Sequence, residues 1–196
     1  MSQFTEAFIF RAEGADHTKR GVREDDLART LFVPASDNTT AGAAAAELLD
    51  EGLDLVELYG GFGPRAAAAV VTATDGKVPV GLVGVEQDDP ARDGAVIYVA
   101  AGAEPDRDRF VYEHSGRRMT FVAAPDTAAV PRVAAELVAA GAETIELAGG
   151  LGAVPAAAVI AAVGERALIA PIMFGFESLP GAAAFRARYE AAAAAA

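Results

Sequence analysis

Sliding the chain along itself by 89 residues superimposes residues 32–63 on residues 121–152 without a gap, and 14 of those 32 positions carry the same residue. Such a repeat constrains the architecture before any motif is read, because a duplicated unit folds twice in the same way. The matching pairs include Phe32/Phe121, Asp37/Asp126, Glu47/Glu136, Gly52/Gly141 and Glu57/Glu146. The glycines Gly60, Gly61 and Gly63 match Gly149, Gly150 and Gly152. Upstream, Ala7-Phe-Ile-Phe and Gly14-Ala15 align with Ala95-Val-Ile-Tyr and Gly102-Ala103 at an offset of 88, so one residue has been gained in between. The chain therefore divides into a first repeat over 5–86, an acidic linker over 87–93, a second repeat over 94–177 and a C-terminal extension over 178–196, with the repeats expected to form one compact body.

Each repeat reads in the same order. Ala7–Arg11 and Ala95–Ala100 are short apolar runs typical of buried strands. Arg109–His114 and Arg117–Val122 flank Ser115-Gly116 as a hairpin, and Arg20–Val33 is the weaker first-copy counterpart, with Glu24-Asp25-Asp26 at its turn. Asp37 and Asp126 are expected N-caps for alanine-rich helices that stop at Gly52 and Gly141. Strands follow over 53–59 and 142–148. Second helices open near Pro64 and Pro155, and closing strands lie over 78–85 and 168–174. The predicted class is α/β: two tandem pseudo-symmetric repeats, each a strand plus hairpin followed by β-α-β-α-β, with mostly parallel sheets and helices outside. Two helices cannot cover both sheet faces, so the sheets are expected to face or extend one another across a pseudo-two-fold, or to curl towards a barrel. The segment from Leu179 reads as a last helix whose alanine tail frays.

Composition narrows the function. Sixteen basic against 28 acidic residues give a net charge of −12, which opposes binding to phosphate backbones or anionic lipid, so neither nucleic acid nor membrane is an expected partner. The absence of cysteine removes thiolate catalysis and a Cys-ligated zinc site. Two histidines without helical His or Glu spacing leave at most a weak carboxylate-bound Mg²⁺. No cofactor and no metal site are predicted. The most apolar window, residues 153–163, is too short to span a bilayer, and no basic leader opens the chain; a cytoplasmic location is expected, as a monomer that is itself a pseudo-dimer or as a homodimer.

The run Ala7-Phe-Ile-Phe, Gly14-Ala-Asp, the helix end Glu51-Gly52, Val56-Glu-Leu-Tyr-Gly-Gly-Phe-Gly63 and Val78-Pro-Val-Gly resemble a bacterial family known only as a domain of unknown function. Its most specific element is Glu-Leu-x-Gly-Gly-x-Gly. The resemblance covers most of each half and implies a tandem fusion of a unit that occurs mainly as single copies. The second copy departs from the pattern at Ala148, Leu151 and Ala170-Pro171, which puts its site in doubt. The resemblance brings no activity.

The residues with chemical promise cluster near the glycines. A Gly-rich turn between a parallel strand and a helix offers backbone N–H groups to an anion, at the strand ends where α/β proteins bind ligands; equally, it is a tight turn that needs glycine. Walker and Rossmann spacings are absent. Glu57 and Glu146 each interrupt an aliphatic strand three residues before the glycine pair. A carboxylate buried there suits acid–base chemistry, or it accepts bonds from backbone or from Arg29 and Arg118 and orders the two halves. His114, beside Tyr112, is a second acid–base candidate, while His17 reads as a solvated surface residue. Tyr59, Arg29, Arg118 and Glu86 complete the predicted binding set, and Tyr59 and Tyr98 are expected to place their hydroxyls at a wet edge. Three functions fit: a cofactor-independent small-molecule enzyme of isomerase, lyase or cyclase type, with Glu57 as acid or base beside the turn; a non-catalytic ligand-binding or sensory module; and a structural assembly protein.

Overall fold

The computed structural model describes residues 3–84, 86–87 and 91–195. In chain order the first repeat contains β1 (Phe4–Arg11), β2 (Gly21–Glu24), β3 (Ala28–Ala35), α1 (Asn38–Leu49), β4 (Leu53–Tyr59), α2 (Pro64–Ala73) and β5 (Val80–Leu82). The second contains β6 (Asp93–Val99), β7 (Arg109–His114), β8 (Arg117–Ala124), α3 (Val130–Ala139), β9 (Thr144–Leu147), α4 (Ala153–Val163) and β10 (Leu168–Pro171). A short β11 (Met173–Phe174) and a long α5 (Leu179–Ala193) follow. The strands form two sheets, ordered β11-β5-β4-β1-β3-β2 and β10-β9-β6-β8-β7. Both are open and mostly parallel, and among the described residues the antiparallel pairings are those by which β2, β7 and β11 join. The predicted class holds, and neither sheet closes into a barrel.

The chain makes two compact units, residues 1–88 with 173–196, and residues 89–172. They do not coincide with the repeats. The closing segment read as one strand over 168–174 is split: β10 pairs with β9 in the second unit, and β11 pairs with β5 in the first. In the first repeat only residues 80–82 of the expected 78–85 are strand, and Val85 lies outside the described residues. So do residues 88–90 of the linker and Ala196 of the tail, although α5 persists through Ala193.

Within the first unit, Ala7, Ile9, Leu31, Val33, Val56 and Leu58 point to one face and pack under α1 and α2. The alternation of side chains along strands sends Phe8, Phe10, Phe32, Glu57 and Tyr59 to the other face. The second unit repeats the division: Ala95, Ile97, Val122, Ile145 and Leu147 pack under α3 and α4, and Val96, Tyr98, Phe121 and Glu146 take the other face. Helix α5 lies on that second face of the first unit, where Phe185 and Tyr189 meet Phe4 at 5.5 and 5.4 Å between ring centres. Arg188 closes the contact, 2.9 Å from Asp54 and 5.4 Å above the Phe4 ring.

The helix starts show how local chemistry modulates a repeat. Asp37 caps α1 as expected, accepting from the Thr40 N–H at 2.7 Å. Asp126 does not cap α3: its carboxylate accepts from Ala129 at 2.9 Å in a turn, and α3 begins at Val130. Pro131 is the reason. A helix starting at Thr127 would place this residue, which has no N–H and crowds the preceding turn, at an interior position. The structure shifts the start until Pro131 falls in the first turn, where its missing N–H is harmless.

Candidate functional site

Strand β4 ends in the turn Gly60–Gly63, at the carboxyl edge of the parallel strands. Gly60 and Gly61 have φ values of 68° and 90°, the left-handed region that favours glycine. Gly63 serves a different need: a Cβ there would lie 2.6–2.7 Å from the Cβ, Cα and N of Glu86. The segment after β5 thus runs directly over the turn. Gln87 donates its N–H to the Gly61 carbonyl at 3.0 Å, and Arg11 reaches the Gln87 carbonyl at 2.8 Å. The Glu86 carboxylate sits at the head of α2, 2.8 Å from Arg65 Nε and 3.4 Å from the Arg65 backbone N–H, with Asn38 Nδ2 at 3.3 Å. The Arg65 side chain, ahead of the other bonds, holds its pKa below the usual range. The turn predicted to bind an anion holds a carboxylate of the chain itself.

The second copy leaves the same turn open. Gly60, Gly61 and Gly63 are buried, whereas Gly150 and Gly152 are exposed. A Cβ on Gly152 would meet nothing within 4 Å. The chain after β10 departs to the first unit, so no counterpart of Glu86 returns, and Val154 stands where Arg65 does. Glu177 lies in the first unit with its carboxylate against Gly175.

Glu57 and Glu146 are both buried, at 3% and 5% exposure. Glu57 stands in register with Phe8 on one side and Gly81 on the other, and its Oε2 accepts a hydrogen bond from the Tyr59 hydroxyl. Tyr59 is fully buried and Tyr98 nearly so, and the Tyr59 hydroxyl lies on Glu57 and not at a wet edge as expected: side-chain alternation turns the ring onto the face of Phe8 and Glu57. In the second copy Ala148 stands at the position of Tyr59. Arg29 and Arg118 do not partner these glutamates. Arg29 binds Glu51 at 3.1 Å, and Arg118 binds Asp93 at 3.3 Å and the Ala140 carbonyl at 3.4 Å. Both arginines start strands, at the end of the sheet away from the glycine turns.

His114 and Tyr112 share a face of β7, with ring centres 6.1 Å apart. They lie far along the sheet from β9 and Glu146, because β8 and β6 intervene. His114 does border a polar cavity of about 440 Å³ with Asp93, Glu113, Ser115, Arg117 and Arg118. His17 is paired with Glu47 at 3.1 Å. Among the described residues no group of three His, Cys, Asp or Glu side chains could hold a metal ion, and no helix is long and apolar enough to cross a membrane.

One acidic residue escaped the sequence reading. Glu6 lies on β1 beside Thr30, whose hydroxyl donates to its Oε1 at 2.7 Å. Loss of hydration pushes its pKa up to about 7, against the Thr30 bond and with a smaller push from Asp25. Tyr189 of α5 is pushed up to about 12, first by burial and then by the charges of Glu6 and Asp25. The signal was strand alternation: a β1 begun at Phe4 instead of Ala7 puts Glu6 on the same face as Phe8.

Residues 4–95 and 92–187 each match a family of unknown function, DUF6506. The chain belongs to that family and carries its unit twice. No curated protein matches it. Among solved structures, an NtrC family transcriptional regulator from Clostridium acetobutylicum aligns at 12% identity and a TM-score of 0.31, covering 91% of both chains. An ABC domain in complex with L-Trp from Streptococcus pneumonia aligns at 12% identity and 0.28, covering 86% of this chain and 74% of that one. Scores this low define no shared function.

Proposed function

We propose that the first repeat is the working copy of a cofactor-independent enzyme of isomerase, lyase or cyclase type, acting on a small carboxylate. The observation that carries this reading is the buried Glu57–Tyr59 pair at the carboxyl end of β4. A carboxylate held out of water by a phenol donor is the kind of group that moves a proton at carbon when a substrate replaces the phenol contact. The Glu86 carboxylate at the head of α2, bound by Arg65 and Asn38, supports the other half of the reading, since a carboxylate is what such a helix start attracts. In this scheme Glu57 takes the proton, Tyr59 positions it, and the turn binds the substrate carboxylate once Glu86 moves aside.

The test is proton exchange in D₂O followed by NMR on a panel of small keto, hydroxy and unsaturated carboxylates, with wild type, Glu57→Gln and Tyr59→Phe. Exchange that disappears in Glu57→Gln, while that variant keeps its melting temperature, supports the assignment. A wild type that exchanges none of the panel and shows no ligand-induced thermal shift contradicts it. A non-catalytic binding module is the second reading, favoured by the cavity at His114, Arg117 and Arg118; thermal shifts abolished by Arg117→Ala but untouched by Glu57→Gln would select it.

A further inference from the structure

The two repeats finish their sheets differently, and the difference exposes a surface. Register places Val80, Gly81 and Leu82 of β5 at the positions of Ile169, Ala170 and Pro171 of β10, each pair 89 residues apart and each opposite equivalent residues of β4 and β9. In the first unit the outer side of β5 is completed by this chain. β11 pairs with it antiparallel, Met173 opposite Leu82 and Phe174 opposite Gly81, and the Val80 N–H donates to Ser178 Oγ at 3.0 Å. In the second unit β10 is the sheet edge. Leu168 and Ile172 donate inward to Glu143 and Leu147, so alternation along the strand turns the backbone of Ala167, Ile169 and Pro171 outward. Among the described residues no strand pairs with that side.

The helix beside this edge has changed in the same direction. Residues 147–164 contain no ionisable side chain. On α4, Val154 is 82% and Ile160 53% exposed, and Leu168 at the edge is 56% exposed. At the corresponding positions of the first repeat Arg65 stands for Val154, while Val71 and Pro79, apolar in both copies, stand for Ile160 and Leu168. An open strand edge beside an uncharged helix face is a pairing surface, and its uncharged character stands out on a chain of net charge −12.

We propose that the occupant is a second copy of this chain, which pairs β10 with β10 about a two-fold axis at Ile169 and brings α4 against α4. The first unit supplies the precedent, since a segment of this same chain completes the equivalent edge in antiparallel fashion. A two-fold contact needs one self-complementary patch, and this patch is one: an antiparallel register centred on Ile169 exchanges its N–H and C=O with those of its mate, and sets the Ala167 N–H against the mate's Pro171 carbonyl. Pro171 has no N–H to give, so each Ala167–Pro171 pair makes one ladder bond where another residue would make two. Two chains of like charge meet through strands and helices that carry none, with Glu165 and Arg166, of opposite sign, in between.

Sedimentation equilibrium of the full chain over a hundredfold concentration range should give a dimer of twice 20.0 kDa. Val154→Asp with Ile160→Asp should weaken association about tenfold or more, with the melting temperature of the monomer retained, because both side chains are exposed and a charge buried in the contact is costly. The chain has no cysteine, so a nitroxide on Leu168→Cys reports one position. Its spectrum should be broadened by its mate, about 7–8 Å away as a diagonal neighbour in this register. A nitroxide on Val22→Cys, an exposed β2 edge position, should show no broadening. A wild type that stays monomeric throughout, a dimer indifferent to the aspartates, or an unbroadened Leu168 label overturns the proposal.

Discussion

Replacing Glu6 by glutamine should stabilise the protein at neutral and alkaline pH and abolish a pH dependence that wild type must show. The folded-state pKa of about 7 stands above the ordinary 4.5, so the folded state holds a proton more tightly than the unfolded chain. Stability therefore falls as pH rises from about 4.5 to about 7, and levels off above. At about 1.4 kcal/mol per pH unit, the whole fall from this one group is about 3 kcal/mol. The depressed carboxylates Asp25, Asp37 and Glu51 act in the opposite sense: their contribution is present above the unfolded values and is lost as pH falls below about 4. The two windows do not overlap. Glutamine keeps an acceptor for the Thr30 hydroxyl and has no charge to bury, so urea unfolding at pH 5 and pH 8 should give a wild type weaker at pH 8 and a Glu6→Gln protein with nearly equal stability at both. A wild type equally stable at the two pH values, or a variant with the same fall, would refute the reasoning.

Other perturbations probe the contacts that join distant segments. Ser178→Ala leaves the buried Val80 N–H without its acceptor and should cost about 1–3 kcal/mol in chemical unfolding. The two glycine turns should respond differently to alanine. Gly63→Ala drives a methyl into the Glu86 backbone, displaces the segment above it, and should speed amide exchange at Gln87 while costing about 1–3 kcal/mol. Gly152→Ala enters open space at a φ of 66°, and should cost about 1 kcal/mol without altering exchange elsewhere.

The backbone plan was legible because it rests on periodicity and punctuation. Hydrophobic alternation, Gly52 and Gly141, and the Ser115-Gly116 turn each act within a few residues, and β2 through α2, β7, β8 and β9 appear near where those signals put them, while α3 starts later than its aspartate suggests. What failed depends on partners remote in sequence. Nothing near Pro171 announces that the chain will leave one sheet and complete another, since β11 finds Leu82 and Gly81 more than ninety positions upstream. Glu57 was legible as a charge inside an aliphatic strand, and its burial followed. The burial of its hydroxyl partner two residues on is less legible, because a tyrosine at the end of a strand satisfies its hydroxyl equally well in water or on a neighbouring carboxylate.

The same long-range exchange explains why the copies have diverged where they have. Once the C-terminal segment of the second repeat completes the first sheet, the first copy's edge is sealed and its turn is covered by Glu86 and Gln87. Gly150 and Gly152 of the second copy are exposed, and its sequence differs at these places among others: Val154 for Arg65, Ala148 for Tyr59, Pro171 for Leu82. Arg65 and Tyr59 hold Glu86 and Glu57 respectively, so the first copy retains a complete set of polar pairs around its turn. The second has Val154 and Ala148 at those two positions and carries an apolar edge. A duplicated unit in this arrangement divides its roles, with polar chemistry concentrated in one copy and a surface for association in the other.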